Sequence, residues 1–253
     1  MGEVRFFSTT ALKGIVARLG ILVALLLPSP HVIHGQQRPS ISELLRQFEG
    51  ERVFWRQFEV AKAIVATNDA SVLPQLESWL THEDRHLRGN AAFIFCGLGD
   101  TRGFDVIVSI LGDRSERREV HKISSVGLPS IQRQISEDRY YAAHLLGDLK
   151  DPRAVPILVP LLADPDVNYI VPWSLGQISN SSAIAPLIGS LSDPNPSMRV
   201  LVIHALVELK AGGALPRLRQ LLDDNARSNF DKFESVAEAA QVAVAKLKSE
   251  PAR

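Results

Sequence analysis

The residue types best placed to do chemistry are His82-Glu83-Asp84-Arg85-His86. On a single helix, histidines at i and i+4 share a face and can bind zinc while the glutamate between them acts as general base. The surrounding pattern puts this segment at a junction between two units. His82 and His86 then straddle a helix start that Thr81, Glu83 or Asp84 would cap. A metalloprotease would also need a mixed sheet, and no strand-like run is present. A metal site at His82 and His86 is therefore the alternative reading, and no cofactor is expected. His144 and His204 fall on helix faces among Ala, Leu and Ile, where a satisfied, half-buried imidazole is expected. The lone Cys96 closes the apolar run Ala91-Ala92-Phe93-Ile94-Phe95-Cys96 and reads as a small buried hydrophobe. A single cysteine excludes an internal disulfide framework, and no Gly-rich phosphate loop or serine-nucleophile context appears.

Arginines and aromatics form a second group, because both are enriched at interface hot spots. Arg85 and Arg88 stand at the start of one unit, and Arg139-Tyr140-Tyr141 and Asn168-Tyr169 start two others. Arg227-Ser228-Asn229-Phe230 lies in a late loop. The partner surface expected from these positions is Arg85, Arg88, Arg139, Tyr140, Asn168, Arg227 and Phe230, with packing between units the equal alternative for Arg139 and Tyr140. Trp79 and Trp173 read as core between units, and Tyr141 fits either role.

The elements that must position these side chains repeat along the chain. Ala91–Asp113 and Ala142–Asp164 align without gaps, 51 residues apart, each as apolar helix, Asp-x-Arg turn, apolar helix and closing Asp. Pro156, Pro186 and Pro216 recur every 30 residues. A period near 30 built from two short helices predicts an all-α solenoid. Asp151 is expected to cap a second helix whose first position is Pro152, where no amide donor is needed. The expected units are a leading helix at about 40–50, pairs at 54–84, 85–113, 139–165, 167–194 and 197–224, and a closing helix at 234–248. In that helix Val236, Ala240, Val244 and Leu247 form one stripe. A charged insertion at 114–138 is read as a loop interrupting the period, and a shorter loop covers 224–232.

Residues 1–35 read as an address. Arg5, Lys13 and Arg18 precede the apolar run Gly20–Leu27, which Pro28 and Pro30 end, and a short polar stretch closes at Gly35. This is the layout of a cleavable secretory signal, with an uncleaved N-terminal tether as the alternative. The run is shorter than the ~20 residues of a membrane span, so no membrane insertion is expected beyond it. The remaining chain, 36–253, carries 25 basic and 27 acidic side chains. That balance, with few aromatics, argues against a nucleic-acid partner.

Units such as Tyr141-Ala142-Ala143-His144-Leu145-Leu146-Gly147-Asp148-Leu149-Lys150-Asp151-Pro152-Arg153-Ala154-Val155-Pro156-Ile157-Leu158 resemble HEAT repeats of the short, phycobilisome-lyase-like class. The pattern shared is A-x-x-L-G-D-x-x-D-P-R-A-V-P-x-L, and the resemblance runs over roughly 54–250. It implies a helical solenoid that binds proteins. Deoxyhypusine hydroxylases resemble the same class and hold two irons on several His-Glu pairs. Here only His82-Glu83 is such a pair, since His121, His144 and His204 are followed by Lys122, Leu145 and Ala205. Bilin lyases are related too, although the repeats alone carry no chromophore chemistry. The function expected is a non-enzymatic protein-binding scaffold, exported to the periplasm or secreted. A metal-dependent enzyme on His82-Glu83-x-x-His86 is the alternative.

Overall fold

The computed structural model describes residues 39–116, 131–229 and 235–249. The signal read over 1–35, most of the 114–138 insertion and Phe230 lie outside them. Among the described residues the chain is helical throughout, with one isolated antiparallel bridge between Arg227 and Ser235. The all-α solenoid is what the repeats lead to. No helix of the described residues is long and apolar enough to cross a membrane.

The first helices of the units form one layer. They are α1 (Ile41–Gly50), α2 (Phe54–Val65), α4 (Arg85–Gly97), α6 (Ile131–Leu149), α8 (Val171–Ile178), α10 (Pro196–Glu208) and α12 (Val236–Ser249), each packed on the next. The second layer is shorter and broken. It comprises α3 (Leu73–Leu76), α5 (Arg102–Gly112), α7 (Val155–Leu158), α9 (Ile184–Ser190) and α11 (Leu215–Gln220), all but α5 flanked by 3₁₀ turns. Burial is continuous along the seam, from Phe48 through Ile94, Leu146, Leu175 and Leu206 to Val236. The predicted stripe Val236, Ala240, Val244 and Leu247 is buried, with α12 packed on α10 and α11.

Local chemistry explains the hairpins. Asn68, Gly99, Lys150, Ser179 and Lys210 all have φ between 52° and 91° and end a first helix in the left-handed conformation. A capping residue follows four of them. Asp69, Asp151 and Asn180 accept from the amide two residues on, and Asp100 does the same for Arg102. The expected cap at Asp151 with Pro152 behind it is therefore present. Asn195, followed by Pro196, caps α10 in the same way.

The insertion differs from expectation. Helix α6 runs back to Ile131, two turns before the expected start at 139, and Gln134, Ile135, Ser136 and Asp138 are buried. The second part of the insertion is thus core helix, because Asp138 is drawn in by Arg85 (3.1 Å).

Candidate functional site

Tyr141, His144 and Asp148 occur at offsets of three and four on α6, which places them on one face. Helix α8 comes close to that face. Ser174 donates to the carbonyls of Ala143 (2.9 Å) and Ile170 (3.1 Å), and a Cβ on Gly147 would lie 2.8 Å from the Ser174 Cα. This approach lays the Trp173 ring over the His144 imidazole, with centroids 4.5 Å apart and planes 15° apart. The Tyr141 ring lies near-parallel to the same imidazole at 6.2 Å and 11°. From α2, Phe58 meets both rings edge-on, at 6.3 Å from Tyr141 and 6.1 Å from His144. Phe54 and His86 extend the band, stacked on each other at 4.3 Å. Helix α2 thus touches α6 across α4.

Hydrogen bonds hold the band in register. The Tyr141 hydroxyl donates to Asn90 Oδ1 (2.5 Å), Asn90 Nδ2 donates to Gln57 Oε1 (2.9 Å), and Gln57 Nε2 donates to the Phe48 carbonyl (3.0 Å). Trp173, Tyr141 and Phe54 remain half-buried, so the stack has an open edge.

The electrostatics at that edge are unusual. His144 Nδ1 is buried and makes no hydrogen bond, and it stands 3.4 Å from Asp148 Oδ2. Burial, helped by the nearby Lys62 ammonium, pushes the imidazole down to about 4, so it is neutral at pH 7. Burial pushes the Asp148 carboxyl up to about 6, against the pull of Lys62 and Lys150 and with the help of Glu59. The two lie side by side as a neutral imidazole and a raised carboxyl rather than as an ion pair. Burial first, then the charges of Asp148, Glu59 and Asp84, hold the Tyr141 phenol well above its ordinary value. Lys62 pairs with Glu59 (2.8 Å) and lies over the Phe58 ring.

The residues singled out from the sequence fall elsewhere. His82 and His86 do not converge: Asp84 caps α4 through the amides of His86 and Leu87, with His82 before the helix and His86 inside it. The His82 ring stacks on Trp79 at 5.1 Å, while His86 Nε2 faces Asp138 at 3.5 Å. Among the described residues no group of three His, Cys, Asp or Glu could hold a metal ion. Arg85 and Arg139, expected at a partner surface, are internal. Arg85 pairs with Asp113 (2.7 Å) and Asp138, and Arg139 pairs with Asp164 (2.7 Å) and donates to the Leu111 carbonyl. Arg199 and Asp224 repeat the device in the fifth unit (2.8 Å). These arginines clasp the two layers of a unit together, which turns their guanidinium groups inward. Arg88 is half-buried and donates to the His82 carbonyl (2.7 Å). Tyr140 packs against the core, and burial raises its phenol to about 12. Asn168 is half-buried with its Oδ1 enclosed, and Arg227 is exposed.

Asp148 was not among the residues expected from sequence, because Gly147-Asp148 repeats the G-D of the unit pattern. The signal that could have found it is the triple Tyr141, His144, Asp148 on one helical face. Cys96 is half-buried, and burial raises its thiol to about 12. It lines a small cleft with Asp100, Asp151 and Arg153.

Comparison with known proteins bears on this face directly. Residues 138–164 match the PBS lyase HEAT-like repeat, and residues 163–230 match HEAT repeats. Phycocyanobilin lyase subunit alpha of Synechococcus elongatus is 37% identical over 97 residues, 34% of this chain and 36% of that protein. Bilin biosynthesis protein PecE of Mastigocladus laminosus is 34% identical over 107 residues, 41% of this chain and 37% of that protein. PecE of a Nostoc species is 32% identical over 146 residues, 56% of this chain and 53% of that protein. The alignments thus span from about a third to about half of those relatives' lengths. An engineered protein of known structure aligns over 84% of this chain and 98% of its own, at 18% identity and a TM-score of 0.40. The expectation of a non-enzymatic scaffold, and with it that of no enzymatic activity, is overturned by the curated relatives, which are named as a bilin lyase subunit and bilin biosynthesis proteins.

Proposed function

We propose that this array of HEAT and PBS lyase HEAT-like repeats is a lyase-type protein that binds a bilin and joins it to, or releases it from, a protein partner. The observation that carries the reading is the near-parallel stack Tyr141–His144–Trp173, open at one edge and ending at the Asp148 carboxyl. A bilin is a conjugated linear tetrapyrrole with N–H donors along its inner edge and carboxylate side arms. Half-buried aromatic rings offer it stacking area, Asp148 offers an acceptor for N–H, and the Lys62 ammonium offers a counter-charge for a carboxylate. The PBS lyase HEAT-like match over 138–164 covers α6 from Asp138 onward and all of α7, and so includes Tyr141, His144 and Asp148. The relatives' names supply the ligand class. Export directed by residues 1–35 is part of the same proposal, and the mass of the mature chain tests it by placing the new N-terminus at Gln36.

The test is an absorbance titration of the full chain with phycocyanobilin. Saturable binding with a shifted long-wavelength band is expected. Trp173→Ala should weaken it about ten-fold, the equivalent of one lost ring contact. A spectrum identical to that of free bilin at every protein concentration overturns the reading.

A further inference from the structure

We propose that Asp148 is the acid–base residue of this site: it gives or takes the proton that accompanies thioether formation or cleavage on the bound tetrapyrrole, and His144 positions it. The proposal rests on the bilin reading above and adds a chemical role to one of its residues.

A lyase that joins a thiol to a conjugated chromophore must move a proton as well as make a bond. The cysteine thiol of the protein partner adds across a carbon–carbon double bond of the bilin. A C–S bond forms at one carbon while the π bond breaks. The electron pair so released takes a proton at the neighbouring carbon, and the thiol's own proton is left over. With its carboxyl protonated, Asp148 delivers the first proton and recovers the second from the thiol, so it ends as it began. Release runs the same steps backwards. Nothing is oxidised or reduced, and no further reactant is needed.

The other acids and bases nearby are unsuited to this exchange. The Tyr141 hydroxyl is spent on Asn90 and held far from ionisation. Asp138 is fully enclosed and clasped by Arg85. Glu59 is exposed and paired with Lys62. The His144 imidazole is buried within the stack and has less of an opening than Asp148. Asp148 alone combines reach with a favourable charge state: its side chain keeps 26% exposure at the open edge, against 11% for His144. Behind it, His144 Nδ1 has no other hydrogen-bond partner and can accept from the protonated carboxyl. The charged and titratable groups facing Asp148 are Glu59 and Lys62 from α2, Tyr141 and His144 from its own helix, and Lys150 from the following turn. Helix α8 contributes none, since Val171–Ile178 contains no ionisable residue. A carboxyl poised at about 6 is near the optimum for donating and recovering a proton around neutral pH.

The experiment uses the full chain, phycocyanobilin and glutathione as the thiol, and follows adduct formation by the blue shift of a shortened conjugated system. It is run from about pH 4.5 to about pH 8, bracketing the carboxyl. Wild type is expected to accelerate the reaction over free bilin, with a rate that changes around pH 6. Asp148→Asn keeps an amide oxygen for the bilin N–H but has no proton to exchange, so its adduct rate at saturating bilin should fall about 10²–10⁴-fold, the usual contribution of a general acid or base. Asp148→Glu should recover part of that rate. His144→Gln should move the pH midpoint, which a purely structural role would not do. An Asp148→Asn protein with an unchanged rate and pH profile overturns the proposal, as does bound bilin that reacts no faster than free bilin. Failure of the bilin reading is a separate result, visible as wild type that does not bind at all.

Discussion

His144 and Asp148 respond to pH in opposite senses, and the balance between them is open to measurement. Asp148 has its carboxyl raised by burial from the ordinary 3.8 to about 6. Between those values the folded chain keeps a proton that the unfolded chain has lost, so this residue lowers stability as pH rises from about 4 to about 6. His144 has its imidazole lowered by burial from 6.5 to about 4. Here the unfolded chain binds the extra proton, so this residue raises stability as pH rises through the same window. Each effect is worth at most about 3 kcal/mol, and in the wild type they offset. Replacing one partner exposes the other. The melting temperature of Asp148→Asn, taken relative to wild type, should gain as pH rises from about 4 to about 7, and that of His144→Gln should gain as pH falls. Thermal melts of the three proteins at both ends of the range decide it. Parallel shifts at both pH values would show that neither group changes protonation on folding.

At the scale of elements, the site depends on how closely α6 and α8 approach. At Gly147 a Cβ would meet the Ser174 Cα at 2.8 Å and the Trp173 ring at 3.0 Å. The first of these is backbone that cannot swing aside. Gly147→Ala should therefore destabilise by about 1–3 kcal/mol and lift Trp173 from His144, which near-ultraviolet circular dichroism would register as lost aromatic signal. Gly189, on α9, has nothing within 4 Å of the same construction. Gly189→Ala should be neutral or stabilise by up to about 1 kcal/mol, since alanine is the better helix former. Denaturant melts of the two variants should thus move apart. These elements were legible in the sequence wherever the signal is local. The prolines 30 residues apart, the cap at Asp151 and the apolar stripe of α12 are read from neighbours in the chain. Contacts over long separations were not legible. Arg139 pairs with Asp164 and Arg85 with Asp138, 25 and 53 residues away, and without those partners both arginines look like surface charges. The expected start of α6 at 139 differs from the observed Ile131 for the same reason. Arg133, Glu137 and Asp138 resemble loop composition until Arg133 bonds Glu137 along the helix (3.2 Å) and Asp138 turns inward to Arg85. Asp148 belongs with these cases: as a sequence letter it completes a repeat consensus, and burial beside His144 makes it chemically distinct.

Across the whole molecule, a solenoid is held by contacts between successive units, so its stability is set locally and its weakest seam decides how it opens. The seam that matters is where the insertion interrupts the period. Arg85, on α4, reaches Asp113 at the end of its own unit and Asp138 on α6, while His86 Nε2 approaches the other Asp138 oxygen. This cluster ties the units before the insertion to those after it, and the aromatic face proposed to take a bilin spans the same seam because Phe58 comes from α2 while Tyr141, His144 and Asp148 come from α6. Arg85→Ala would leave the fully buried Asp138 carboxylate without its guanidinium, a loss of about 3–5 kcal/mol. In a cooperative globule that loss would be felt everywhere. In a solenoid it should fall on the α4–α6 junction. Hydrogen exchange should then show amide protection dropping across α4 and the start of α6, with α10 and α12 unchanged, and denaturant unfolding should separate into two steps. Phycocyanobilin binding should weaken in the same variant although no ring of the stack has been altered, because α2 would no longer be held against α6. The comparison variant is Arg199→Ala, whose partner Asp224 keeps 20% exposure and retains water when the guanidinium is gone. It should cost less and leave bilin binding intact. If Arg85→Ala lowered protection uniformly from α1 to α12, the units would be unfolding as one body, and the site could not be disrupted by loosening a single seam.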